Sequence, residues 1–217
     1  MKTLLYLGTD PASFESSGCF EGHVIHFPVI EIVPRSLDEP ALKAAWDDLA
    51  EYTHLIFTSK NAVSIFCDHL QTGKIGQIAL NEKCVIAVGQ VTAAQLERRG
   101  LPAHYVAEQE HQEGVVALLN TLELDEAYLF LPRSSLSRPI LTHFLRERGI
   151  RHQACDLYDT VACKPDVLPD LEQVDEILFT SPSTVSAFLE IFQKLPQGKK
   201  LRALGPVTER ALLEAMQ

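Results

Sequence analysis

The chain has 217 residues, with 19 Lys and Arg against 29 Asp and Glu, a formal charge of −10. That balance argues against broad contact with nucleic acid, which needs a concentrated set of cations to neutralise phosphates, and no basic stripe is visible. At 46% hydrophobic and 22% charged residues the composition is that of a folded protein with a buried core, and the length suits one large α/β domain or two compact ones.

No stretch approaches the roughly 18 apolar residues of a membrane helix, and the start, MKTLLYLGTDPASF, has too short an apolar run for a secretion signal. A cytoplasmic location is therefore expected. The cysteines, Cys19, Cys67, Cys84, Cys155 and Cys163, are odd in number and scattered, without C-x-x-C spacing, and read as reduced apolar side chains.

In chain order, the apolar run Leu4 to Leu7 predicts a strand, followed past Pro11 by a weak helical stretch and a second extended run, HVIHFPVIEIV. Pro28 and Pro34 bracket the last part of that run, which suits an edge strand. From Ser36 the spacing of Leu37, Leu42, Ala45, Trp46 and Leu49 predicts a helix with Asp38 and Glu39 in its first turn. LIFTS is a buried strand, Lys60 to Leu70 a helix and Val85 to Val88 a strand. Thr92 to Arg99 is a helix closed by Gly100, and His104 to Val106 a short apolar run. A helix over Gly114 to Leu122, a strand over Ala127 to Leu131 and a helix over Pro139 to Arg148, ended by Gly149, continue the pattern. QACDLYDTVAC is extended and runs into Lys164 and Pro165. From Glu176 the alternation starts again, which implies parallel sheets.

The chain also repeats itself. LIFTSKNAVSIF from Leu55 matches ILFTSPSTVSAF from Ile177, and VIAVGQVTAAQL from Val85 matches LRALGPVTERAL from Leu201, each about 120 residues further on. In the first block a buried strand delivers a hydroxyl pair, Thr58 with Ser59 and Thr180 with Ser181, to a helix start. Ser181 followed by Pro182 reads as an N-cap with Pro at the first helical position. In the second block Gly89 and Gly205 end strands and Thr92 and Thr208 begin helices, with Thr92 and Gln95 spaced as a capping box. Helix N-termini at the carboxyl ends of parallel strands attract anions, so four hydroxyl-capped starts predict two anion-binding rims.

Taken together, LIFTSKNAV, AVGQVTAAQLERRG, LYDTVAC, FTSPSTVSAF and ALGPVTERAL, in that order and spacing, resemble the uroporphyrinogen-III synthase family. The resemblance implies two similar small parallel-sheet, flavodoxin-like α/β domains joined by a two-stranded linker, the first built from both chain ends. On this chain it predicts residues 1–31 with 165–217 as one domain, 36–153 as the other, and linker strands at 28–34 and 154–163. It further implies cyclisation of hydroxymethylbilane, a linear tetrapyrrole, to uroporphyrinogen III with inversion of the last pyrrole ring and loss of water, with no cofactor and no metal. The partners implied are that small molecule and, for its delivery, the preceding deaminase. No nucleic acid or membrane is expected, and a monomer is.

Tyr158 falls on the family's linker tyrosine and is expected to assist departure of the hydroxyl. Ser59, Thr92, Ser181 and Thr208 align with family hydroxyl positions that meet substrate carboxylates, and Thr58 and Ser183 stand beside them. Arg138, in FLPRSSLSRPIL, matches a basic position suited to an acetate or propionate. The chain departs from the family at its start, where Gly8-Thr9-Asp10-Pro11 replaces a common Thr-Arg-Pro, and after Gln217, where another strand and helix are usual.

Other signals are weaker. His23 and His26 would point to opposite faces of a strand, without a cysteine or carboxylate cluster to complete a metal site. His111-Gln112-Glu113 opens like a deaminase signature but lacks P-C-x-x-C, and reads as loop. Glu97, Arg98 and Arg99 read as a solvated helix end. Neither G-x-G-x-x-G nor a P-loop is present. The alternative from another class is a non-catalytic two-domain sensor of a tetrapyrrole or polycarboxylate, and turnover separates the two. A sugar-phosphate isomerase domain would carry S-G-x-T, and neither FTSKN nor FTSPS has that glycine.

Overall fold

The structure, a computed structural model, describes residues 1–11, 14, 20–72, 80–163 and 165–217. The helical stretch expected after Pro11, Cys19 and Lys164 lie outside the described residues. The elements run β1 (Thr3–Tyr6), β2 (His23–His26), β3 (Ile30–Pro34), α1 (Pro40–Asp47), β4 (His54–Phe57), α2 (Lys60–Thr72), β5 (Cys84–Ala87) and α3 (Gln90–Arg98). They continue with β6 (Tyr105–Val106), α4 (Gln112–Leu119), β7 (Tyr128–Ser134), α5 (Ile140–Glu147), β8 (Arg151–Ala162), β9 (Glu176–Phe179), α6 (Pro182–Phe192), β10 (Lys200–Ala203) and α7 (Pro206–Ala215).

The chain forms two compact units, Met1–Ile32 with Thr160–Gln217, and Val33–Asp159. In the first, a four-stranded sheet has the order β10-β9-β1-β2, every pair parallel. In the second, parallel strands run in the order β8-β7-β4-β5-β6, with β3 on the outer edge of β8. The edge position predicted for the proline-bracketed segment is therefore found. Arg35 N donates to Leu157 O at 2.8 Å and Cys163 N to Val29 O at 2.9 Å, so β3 and β8 run in opposite directions.

Parallel strands are covered on both faces, which is why their sequences are continuous apolar runs rather than alternating ones. Leu4, Leu5, Leu55, Ile56, Phe57, Val85, Ile86, Ile177 and Phe179 are all fully buried. In the first unit Leu5, Leu7, Ile177 and Phe179 pack on Phe188 and Leu212 from the two helices, while Leu4, Tyr6 and Leu178 line the other face. In the second, Ile56, Ile86 and Leu129 pack on Val115, Leu141 and Leu145. Its opposite face is aromatic: Trp46, Tyr52 and Phe66 surround Phe130, on which Tyr52 stacks.

Several boundaries differ from the expectation for local reasons. Helix α1 starts at Pro40, at its first position, so Asp38 and Glu39 precede it. Strand β7 continues past Leu131 through Pro132 to Ser134. This is permitted because β4 pairs only with Leu129 and Phe130, leaving the later residues bonded on the β8 side alone. His111 caps α4, its Nδ1 accepting the Gly114 N–H at 3.2 Å, so that segment is a helix start rather than a loop. Arg99 is not simply solvated: its guanidinium donates to Ser64 O at 2.9 Å and to Asp68, tying α3 to α2. The four described cysteines are free thiols.

Candidate active site

In each unit the strand order reverses once, between β1 and β9 and between β4 and β7, and ligands of open parallel sheets bind beyond the carboxyl ends of strands at such a reversal. The predicted hydroxyls sit at those ends. After β4, Ser59 caps α2, its Oγ accepting the Ala62 N–H at 3.0 Å, with Thr58 half-buried beside it. After β9, Ser181 caps α6 in a reciprocal box: Thr184 N–H donates to Ser181 Oγ at 3.3 Å and Ser181 N–H to Thr184 Oγ1 at 3.2 Å. Ser183 Oγ lies 2.8 Å from Ser181 Oγ. Gly8, across the reversal, leaves space for Thr180, since a Cβ there would lie 2.8 Å from its methyl.

The other two helix starts are not hydroxyl-capped. Gly89 and Gly205 are the N-caps of α3 and α7, which places Thr92 and Thr208 inside the first turns, buried to 4% and 3% exposure. Thr208 Oγ1 donates back to Leu204 O at 3.2 Å. Gln95, expected to complete a capping box with Thr92, instead donates from Nε2 to Ser64 Oγ at 2.9 Å. At the start of α3 the Glu110 carboxylate accepts the Gln90 N–H at 2.9 Å.

Tyr158 meets Ser59 across the sheet end, hydroxyl to hydroxyl at 2.8 Å. A register shift in the β7–β8 ladder brings it there: Arg133 pairs with Asp156, but Ser134 pairs with Tyr158, leaving Leu157 as the extra residue of a β-bulge. Two successive residues, Leu157 and Tyr158, are consequently both buried, at 0% and 4% exposure. Burial pushes the Tyr158 phenol up from its ordinary pKa, against the hydrogen bonds of Ser59 and Ser134, so it keeps its proton at neutral pH.

Arg138 is not a lone surface cation. Its two guanidinium nitrogens hold both oxygens of Glu113 at 2.6 and 2.8 Å, and this pair holds the Glu113 carboxyl down at about 2. Arg138, Thr58, Ser137 and Gln112 line one small hollow, where Gln112 Oε1 also accepts the Leu141 N–H of α5 at 3.3 Å. Gln112 and Glu113 stand in the sequence within His-Gln-Glu with nothing to mark their partners, and Ser134 and Glu110 carry no sequence signal, since the groups they meet lie far along the chain.

A family model described as HEM4, uroporphyrinogen-III synthase HemD, matches residues 14–216. The chain belongs to the uroporphyrinogen-III synthase family. A uroporphyrinogen-III synthase of Chlorobaculum parvum is 28% identical over 200 residues, spanning 86% of this chain and 77% of that protein. A putative uroporphyrinogen-III synthase of Methanothermobacter thermautotrophicus is 28% identical over 212 residues, spanning 89% and 80%. Among solved structures, the uroporphyrinogen-III synthetase of Helicobacter pylori has a TM-score of 0.68 at 19% identity and a mutant uroporphyrinogen III synthase of Thermus thermophilus 0.66 at 21%. In both cases all of this chain and 90% of the other are covered. At that identity the structures speak for the fold, which is the two-domain α/β fold of the synthase family, with parallel sheets. Among the described residues no helix is long and apolar enough to cross a membrane, and no three His, Cys, Asp or Glu side chains gather where an ion could sit.

Proposed function

We propose that this chain closes hydroxymethylbilane into uroporphyrinogen III, a lyase reaction of tetrapyrrole biosynthesis. The observation that carries the reading is the synthase-family match over residues 14–216. The binding-only alternative is not favoured, because the matched relatives bear the enzyme's name.

The reaction breaks the C–O bond of the terminal hydroxymethyl group, and the hydroxyl leaves as water once it has taken a proton. The electron-rich pyrrole supplies the electron pair. Bond formation at the substituted carbon of the last ring gives a spiro intermediate, rearrangement inverts that ring, and closure returns a proton. Tyr158 suits the acid: it is protonated at neutral pH and bonded to Ser59, whose half-buried hydroxyl gives the phenol a partner toward the sheet end. Thr58, Ser59, Ser181 and Ser183, with the amides of α2 and α6, are suited to the substrate carboxylates. Arg138 serves a carboxylate if Glu113 yields its place. Thr92 and Thr208, in the first turns of α3 and α7, stand beside the amides of those helix starts and belong to the same carboxylate-binding set.

The purified chain should close freshly prepared hydroxymethylbilane faster than it closes unaided, followed as porphyrin absorbance after oxidation. Closure at the unaided rate by folded protein would return the binding-only alternative to first place.

A further inference from the structure

Tyr158 sits on a bulged strand, and a bulge re-aims the side chains beside it, so what fixes the bulge fixes that aim. What holds this one comes from β3 and the residue after it. Arg35 N donates to the carbonyl of Leu157, immediately before Tyr158, at 2.8 Å. The guanidinium of the same residue grips the carboxylate of Asp159, immediately after Tyr158, through Nε at 2.9 Å and Nη2 at 2.7 Å. On the other side Ser135 N donates to Tyr158 O at 3.0 Å. One residue therefore brackets the tyrosine, fixing the peptide before it and the side chain after it, while the neighbouring strand fixes its own carbonyl. Two parallel charge-assisted bonds also set orientation, which a single contact would not.

We propose that Arg35 and Asp159 are positioning residues for Tyr158, locking the Leu157 bulge so that the phenol stays in register with Ser59 and the departing hydroxyl. The proposal rests on the reading that Tyr158 assists the reaction. Neither residue touches the phenol, so their loss acts on turnover through Tyr158 and leaves the carboxylate-binding hydroxyls in place.

The test is a double-mutant cycle with Asp159→Asn and Tyr158→Phe, read as kcat and KM for hydroxymethylbilane, with far-UV circular dichroism to show that each variant is folded. Asp159→Asn is expected to lower kcat by about tenfold with KM nearly unchanged, a modest misplacement of a reacting group. In the Tyr158→Phe background the same substitution should change kcat by less than about twofold, because the group being positioned is gone. Arg35→Lys, which keeps the charge but loses the fork, should reproduce the kcat loss and serves if Asp159→Asn does not fold. Equal losses in both backgrounds, or unchanged kcat in Asp159→Asn and Arg35→Lys while Tyr158→Phe is slow, would overturn the positioning role alone. Full turnover in Tyr158→Phe would instead remove the catalytic tyrosine, and the positioning role with it.

Discussion

Tyr158 and Glu113 are held in opposite protonation states by their surroundings. For Tyr158 burial dominates and the phenol stays neutral. Tyr158→Phe should therefore lower kcat by about 100-fold, the lower end for a general acid, with the circular dichroism spectrum unchanged. The raised pKa gives the pH dependence its sign: the acid is intact through neutral pH, and its contribution disappears only as pH rises above the ordinary tyrosine value of about 10. A Tyr158-dependent fall in kcat between pH 7 and 9 would contradict this. For Glu113 the Arg138 fork dominates and the carboxylate is favoured in the folded state, so the stabilisation is present above the ordinary glutamate value and is lost as pH falls toward about 2. Arg138→Ala should move the Glu113 titration, followed by NMR, up to the ordinary range. With 36% and 48% of the two side chains exposed, solvent screening keeps the stability change within about 1 kcal/mol.

The elements divide into those whose cause is local and those whose cause is distant. Strands β4, β5 and β9 were legible because a strand buried on both faces must be a short apolar run. The start of α6 was legible because Ser181 and Pro182 are a cap and a first-turn residue in adjacent positions. Ser181→Ala should accordingly cost about 1 kcal/mol in chemical denaturation, and an unchanged midpoint would deny the cap its role. The starts of α3 and α7 were misread by a few residues, since Thr92 and Thr208 look like caps while Gly89 and Gly205 fill that position. The bulge at Leu157 had no signal at all: it arises from the β7–β8 register, and no residue type marks it. The site shows the same division. Tyr158 and Ser59 are readable as a motif, whereas the bonds of Ser134 to Tyr158, Glu110 to Gln90 and Glu113 to Arg138 each join residues 20 or more positions apart.

At the scale of the molecule, the first unit is made from residues 1–32 and 160–217, and its sheet interleaves them: β1 lies between β2 from its own segment and β9 from the other. Ending the chain at Asp159 should thus strip β1 of one neighbour and expose Leu5 and Leu7, and the amides of Thr3–Tyr6 should exchange with deuterium at unprotected rates. Retained protection would contradict the interleaved sheet. The repeated strand–hydroxyl–helix blocks place one reversal point in each unit, and the reaction proposed for the chain is that of the uroporphyrinogen-III synthase family to which it belongs. That reaction has a distinctive product, because the unaided closure of hydroxymethylbilane gives the type I isomer and only ring inversion gives type III. The decisive measurement is to supply freshly made hydroxymethylbilane, oxidise the product and separate the uroporphyrin isomers by chromatography. Enrichment of type III over the type I background is the predicted result, and type I alone from folded protein would contradict the account.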